Sequence, residues 1–163
     1  MKKTKPIKYH PIGVIRSPFK NPEGIPIQSS AARGVRGTVH VLPKYRKGLK
    51  NLNGFSHIIL IYHMHLSKVK KLIVTPFLDN KEHGVFATRS PAHPNSIGVS
   101  VVRLKSIKNG ALQIEGLDMV DGTPLIDIKP YVPRFDIRHK VKIGWLKDKI
   151  GKLRITKADR RFT

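Results

Sequence analysis

Three stretches of this 163-residue chain carry side chains whose types and spacing suit chemistry. The first is GVFATRSPAHPNSIG, from Gly84 to Gly98, in which Arg89, Ser90, His93 and Asn95 sit around prolines at 91 and 94. A residue that precedes proline is driven toward extended backbone, so Ser90 and His93 are aimed in fixed directions. Arg89 supplies a permanent planar cation, suited to gripping an anion or stacking on an adenine. A loop stiffened in this way either holds a ligand or serves as a rigid connector, and composition leaves both open. The second stretch, LDMVDGTPLIDIKPYVP, runs from Leu117 to Pro133 and gathers Asp118, Asp121 and Asp127 in an otherwise cationic chain. VDGTP reads as a turn in which Gly122 permits a positive φ and Pro124 stiffens the exit. Asp121 either caps its own turn or joins its neighbours in binding a polar or cationic small molecule. Tyr131, held between Pro130 and Val132, adds a phenol that needs a hydrogen-bond partner. The third set is His57, His63 and His65, which share one face of an extended strand, and His-x-His is a known metal-holding pattern. No carboxylate or cysteine completes it, because the next segment is the basic SKVKK, so packed or surface imidazoles are expected there.

The elements that must position these residues are short β-type runs rich in Val and Ile and bounded by Gly, Pro and Asn. They are HPIGVI near residue 12, GTVHVL at 37, FSHIILIYHMHL from 55, LIVTPF at 72, IGVSVVRLKSI from 97, ALQIEGL at 111 and PLIDI at 124. Asn109-Gly110 joins the fifth and sixth, and this dipeptide favours a type I′ hairpin turn. FSHIILIYHMHL is apolar on both faces over its middle and reads as a central strand. Seven or eight strands without intervening helices point to an all-β barrel or sandwich, not a doubly wound sheet. After Phe135 the composition changes to a basic–apolar alternation, with Ile143, Leu146 and Ile150 spaced for a weak amphipathic helix and Trp145 as an anchor. We therefore divide the chain into a β-domain over residues 1–135 and a basic extension over 136–163.

Lys and Arg number 32 against 10 Asp and Glu, a formal charge of +22. A field of that size draws polyanions, with nucleic acid the foremost class, at rates that fall with salt. Basic residues cluster at Lys2–Lys8, Lys44–Lys50, Lys68–Lys71 and in the tail. With no cysteine, thiol catalysis and thiolate zinc are excluded. No apolar run spans a bilayer and no apolar leader succeeds the N-terminal lysines, so no membrane partner and a cytoplasmic setting are expected. GxGxxG after a strand, GxxxxGK[ST] and HExxH are all missing.

The segments PIGVIRSPF, FSHIILIYHMH, GVFATRSPAHPNSIGVSVVRL and LDMVDGTPLIDIKPYVPRFD occur in the order and spacing of the TsaA-like (TrmO) family, which the chain resembles from about Tyr9 to Asp136. The resemblance implies a TsaA-like β-barrel, a homodimer, and an S-adenosylmethionine-dependent methyltransferase acting on tRNA. The family's characterised activity methylates the exocyclic amine of threonylcarbamoyladenosine beside the anticodon of threonine tRNA. It further implies a cofactor site made by Pro26, Ile27, Gln28 and Ser29, which look like the family's P-x-Q loop, with Met64, His65, Arg89, Met119, Val120, Asp121 and Gly122. On this reading Arg89 orients cofactor or substrate, and Asp121 or Tyr131 receives the proton that the amine sheds. Where the family has HRPNPIG or FRPNPIG, this chain has AHPNSIG, with His93 for Arg and Ser96 for Pro. Two rival readings are an RNA-binding barrel without catalysis and a methyltransferase of another substrate.

Overall fold

In the computed structural model, which describes residues 5–163, every Val- and Ile-rich run carries a strand. In chain order these are β1 (Gly13–Arg16), β2 (Arg36–Val41), β3 (His57–His63), β4 (Ile73–Val74), β5 (His83–Gly84), β6 (Ile97–Lys108), β7 (Ala111–Glu115) and β8 (Thr123–Pro130). Six of them close into a barrel in the order β1-β2-β7-β6-β3-β8, and each adjacent pair is antiparallel. Closure pairs each of these six strands on both sides and so removes their open edges. LIVTPF yields only the two-residue β4, which pairs with β5 outside the barrel. Pro76 has no N–H to extend that ladder.

Alternation decides which side chains fill the barrel. Ile58, Leu60 and Tyr62 of β3 point inward and meet Val102 and Leu104 of β6, with Ile15, Val39, Leu112 and Ile114 from the other strands. Each such burial is worth roughly 1.5–3 kcal/mol, so this interior is what holds the sheet closed. β3 lies between β6 and β8, but in a closed barrel every strand lies between two others, so the expected central strand has no distinct counterpart. Asn109 (φ 51°) and Gly110 (φ 80°) both lie in the left-handed region, as a type I′ turn requires. Gly98 stands opposite Tyr62 in the β3–β6 register, and a Cβ at that position would collide with the Tyr62 ring. The glycine thus makes the space that lets a phenol fill the end of the barrel.

A second, smaller cluster lies outside the barrel, where Val74, Val85, Ala92 and Phe162 pack together with Val69 and Phe77 against them. Phe162 brings the extreme of the tail into this cluster. The amphipathic helix expected over 143–150 does not form. Residues Gly144–Leu146 and Ile150–Lys152 make separate single 3-10 turns, and Gly144 at φ 55° interrupts any longer helix. Among the described residues no helix is long and apolar enough to cross a membrane.

Candidate active site

A cavity of about 960 Å³ opens at the barrel end where β3 finishes and β6 and β8 begin. Antiparallel pairing brings these termini together. The end of β3 and the residues just past it deliver Tyr62, Met64 and His65; the start of β6 delivers Ile97–Val99; and the segment entering β8 delivers Asp118, Met119, Val120 and Thr123. Four further segments contribute to the wall: 25–28 with Ser30, 76–78, the loop 86–93, and the tail through Trp145, Leu146, Ile150, Leu153 and Phe162.

The proline loop owes its shape to internal bonds as well as to its prolines. Thr88 Oγ1 donates to the Val85 carbonyl (2.8 Å) and accepts from the Ser90 N–H (3.3 Å). His93 Nε2 donates to the Thr88 carbonyl (3.1 Å). Ser90 is thereby buried, whereas Arg89 reaches across the cavity and donates through one terminal nitrogen to Gln28 Oε1 (2.9 Å). Segment 67–71 braces the loop from one side, with Ser67 Oγ on the Pro91 carbonyl (2.8 Å), the Lys71 N–H on the Ala92 carbonyl (3.1 Å) and Lys70 Nζ on Ser96 Oγ.

Tyr62 and Asp118 line the cavity, and buried Ser100 behind them joins the two in a hydrogen-bonded chain. Ser100 Oγ donates to Asp118 Oδ1 at 2.6 Å, and Tyr62 Oη lies 3.0 Å from Ser100 Oγ. Since the single Ser100 proton serves the carboxylate, Tyr62 is the donor to Ser100. Burial pushes the Asp118 carboxyl up to about 6, against the opposing influence of the Ser100 hydroxyl, backbone N–H groups and the Arg89 charge. Burial and the Asp118 charge push the Tyr62 phenol upward, so it remains a donor. A carboxylate poised near neutrality inside a cavity is suited to accept a proton. His65, at the rim, is held below its ordinary value by burial and by His63.

The tail is clasped onto this end of the barrel. Gly24 and Ile25 exchange backbone bonds with Ala158 (2.8 and 2.9 Å). Trp145 Nε1 donates to the Ala87 carbonyl (2.8 Å), and its ring stacks on His83 with centroids 4.6 Å apart. Asp79, only 2% exposed, accepts from Lys149 (2.7 Å) and His83 (3.0 Å). Those two contacts, Lys149 first, hold its carboxyl well below the usual range.

Of the residues singled out from the sequence, Pro26, Ile27, Gln28, Met64, His65, Arg89, Met119 and Val120 line the cavity. Ser29, Asp121, Gly122 and Tyr131 do not. Asp121 is turned to the outside of the β1–β8 corner, where it accepts from the Ser17 N–H (3.1 Å) and Lys20 Nζ (2.8 Å). Those bonds hold its carboxyl below the ordinary value, the reverse of what a proton acceptor near neutrality needs. Gly122, at φ 77°, makes the turn that enters β8. Tyr131 lies just past the far end of β8, eight residues beyond Thr123 and so about 26 Å along an extended strand. There its N–H donates to the His57 carbonyl and its ring meets the His57 ring edge-on. His65 lies past the end of β3 rather than in line with His57 and His63. Tyr62, which lines the cavity, and Ser100, which bonds to it and to Asp118, are picked out by no motif in the sequence. Their signal was a polar atom at an inward position of an otherwise apolar alternation.

The family model described as the tRNA-methyltransferase O N-terminal domain matches residues 14–137. A Pyrococcus abyssi protein named "Probable S-adenosyl-L-methionine-binding protein" is 56% identical over 96% of this chain and 85% of its own length. The tRNA (adenine(37)-N6)-methyltransferase of Escherichia coli is 38% identical over 77% of this chain and 58% of its own. The crystal structure of TrmO from Pseudomonas aeruginosa superposes with a TM-score of 0.73 at 38% identity, over 86% of this chain and 63% of that one. The chain thus spans less than two thirds of the E. coli relative and of the crystallised one.

Proposed function

The chain belongs to the tRNA-methyltransferase O family, and on that premise we propose that it is an S-adenosylmethionine-dependent methyltransferase of the adenine beside the anticodon of tRNA. The finer reading is that the substrate is threonylcarbamoyladenosine of threonine tRNA in the cytoplasm. The observation that carries the enzymatic reading is the meeting of Arg89 with Gln28 and of Asp118 with Ser100 in one cavity. Their chemistry suits the cofactor. Arg89, fixed by Gln28, is a cation for a carboxylate, Asp118 is an anion for a sulfonium or a proton, and Ile27, Met64, Met119 and Val120 offer an apolar bed.

When bound, S-adenosylmethionine supplies an electrophilic methyl group carried on sulfur. The protein's part is to place the adenine nitrogen in line with it and to remove the proton that the nitrogen loses. Positioning falls to the braced loop and the clasped tail. Asp118 takes the proton as its carboxylate, while Tyr62 and Ser100 hold its other oxygen by a chain of donated bonds. This role replaces those expected for Asp121 and Tyr131, which lie outside the cavity. Arg89 orients the cofactor and does not exchange protons.

Calorimetric titration with S-adenosylmethionine tests the cofactor site. Wild type is expected to bind, and Arg89→Ala to bind about tenfold more weakly or worse, as befits one charge-assisted hydrogen bond. A well-folded wild type that does not bind, or a mutant that binds equally, would sink this reading. Methyl transfer to threonine tRNA with and without the threonylcarbamoyl group then identifies the substrate.

The outer face of β3 and β6 supports a homodimer. Ile97, Val99 and Val101 are 47%, 55% and 37% exposed, and Ile59 and Ile61 pair beside them in register. A contiguous apolar patch of this kind suits an isologous interface, and it borders the cavity through Ile97 and Val99. Sedimentation is expected to give twice the 18.4 kDa chain mass for wild type and the single mass for Val99→Lys. A monomeric wild type would refute the dimer.

A further inference from the structure

Phe86 lines the mouth of the cavity and is 77% exposed. Among the described residues no other Phe, Tyr or Trp is so open. Leaving a phenyl ring in water forgoes the gain of burying it. Yet the ring does not hang on a loose segment. It sits at the centre of the single turn Val85–Ala87, whose first residue is fully buried. Thr88 Oγ1 locks that turn, and Trp145 holds the Ala87 carbonyl. The ring is supported at 5.8 Å by the His93 imidazole in an edge-on arrangement (65°), and His93 is itself fixed to the Thr88 carbonyl. The fold therefore presents a rigid aromatic at the entrance of the candidate active site.

Two basic segments are tied to the loop that carries the ring. Segment 67–71 is bonded to the same loop and exposes Lys68 and Lys71. The tail, tied on at Ala87, exposes Lys142 and Lys147. Among the described residues, none of these four lysines is paired with a carboxylate. An aromatic platform joined to unpaired basic segments is the arrangement by which proteins hold single-stranded nucleic acid, the bases stacking and the backbone tracking the charges. An apolar protein partner would bring no charge to match those ammonium groups. We propose that Phe86 is the platform on which a base of the RNA loop stacks as the target adenine leaves its own stack. This rests on the tRNA reading and adds to it the residue that seats the loop.

The test is anisotropy of a fluorescein-labelled anticodon stem-loop RNA across a salt series, with S-adenosylmethionine calorimetry and sedimentation on the same variants. Phe86→Ala is expected to weaken RNA binding about tenfold with the wild-type salt slope, since stacking neutralises no phosphate. Phe86→Trp should restore the affinity and Phe86→Leu should not. Sedimentation mass should stay at the wild-type value, and any fall in cofactor affinity should be smaller than the fall in RNA affinity. Wild-type RNA affinity in Phe86→Ala, full rescue by Leu, a shallower salt slope or a changed mass would each overturn the platform. Should wild type fail to bind RNA, both the tRNA reading and the platform fall. If wild type binds and methylates RNA and Phe86→Ala does so equally, only the platform falls. A stacking effect on RNA without cofactor binding would keep the platform and remove the enzyme.

Discussion

Asp118→Asn is expected to slow methyl transfer by about 100-fold or more, the usual contribution of a general base. The substitution is nearly isosteric, and its amide oxygen still accepts from Ser100, so the floor of the cavity keeps its shape. What disappears is the capacity to take a proton. Wild-type kcat/KM should rise with pH through a limb near 6, because burial pushes the Asp118 carboxyl up to about 6 and only the ionised form accepts. The variant should lack that limb. Stability moves the opposite way. The fold favours the neutral carboxyl, so the stabilisation from this group is complete below about pH 4 and is lost as pH rises through about 6. At pH 8 the Asn variant should therefore unfold no more easily than wild type. Thermal melts beside the pH–rate profile separate the two effects, and a variant with wild-type turnover would move the proton elsewhere.

Phe162→Ala should act on the tail and leave the barrel intact. Phe162 is 7% exposed and packs edge-on against Phe77 at 5.2 Å, in a cluster separate from the barrel interior. Truncating a buried Phe costs about 3–5 kcal/mol. Here that loss falls on a segment held by few apolar contacts, so it should appear as local opening. Amide exchange over 144–163 is expected to accelerate while β3 and β6 keep their protection. Because Leu146, Ile150 and Leu153 line the cavity, cofactor affinity should drop about tenfold as the competent form becomes a minority. Fast exchange in the tail with unchanged affinity would show that the wall is dispensable.

The barrel was legible because its signals are local. Period-two runs, Asn109-Gly110 and the two-faced apolar β3 each announce themselves within ten residues. Residues lining the cavity were legible where a loop is chemically unusual, as with Gln28, Arg89 and Met119. Asp121 and Asp118 could not be told apart, although three positions separate them, because the turn at Gly122 sends one outward and the other to the floor. Tyr131 misled for a related reason: sequence proximity to the acidic turn conceals the length of β8. The tail was least legible. Its contacts with Gly24, Ala87 and Asp79 join positions far apart in the chain, and no local pattern encodes them.

Five of the ten acidic residues are tied to other parts of the chain. Asp79 serves Lys149 and His83, Asp118 serves Ser100, Asp121 serves Lys20 and Ser17, Asp159 serves Arg161, and Glu23 serves Arg160. These ties steady Asp118 at the cavity and fasten the tail through Asp79 and Glu23, and they leave most of the outer lysines and arginines with no opposite charge of the protein's own. Neutrality around that surface must come from small anions gathered out of solution. An arriving polyanion sets those ions free, and the entropy they recover grows as the medium is diluted. The same scarcity of acids that fastens the tail thus makes the buffer a partner in every encounter.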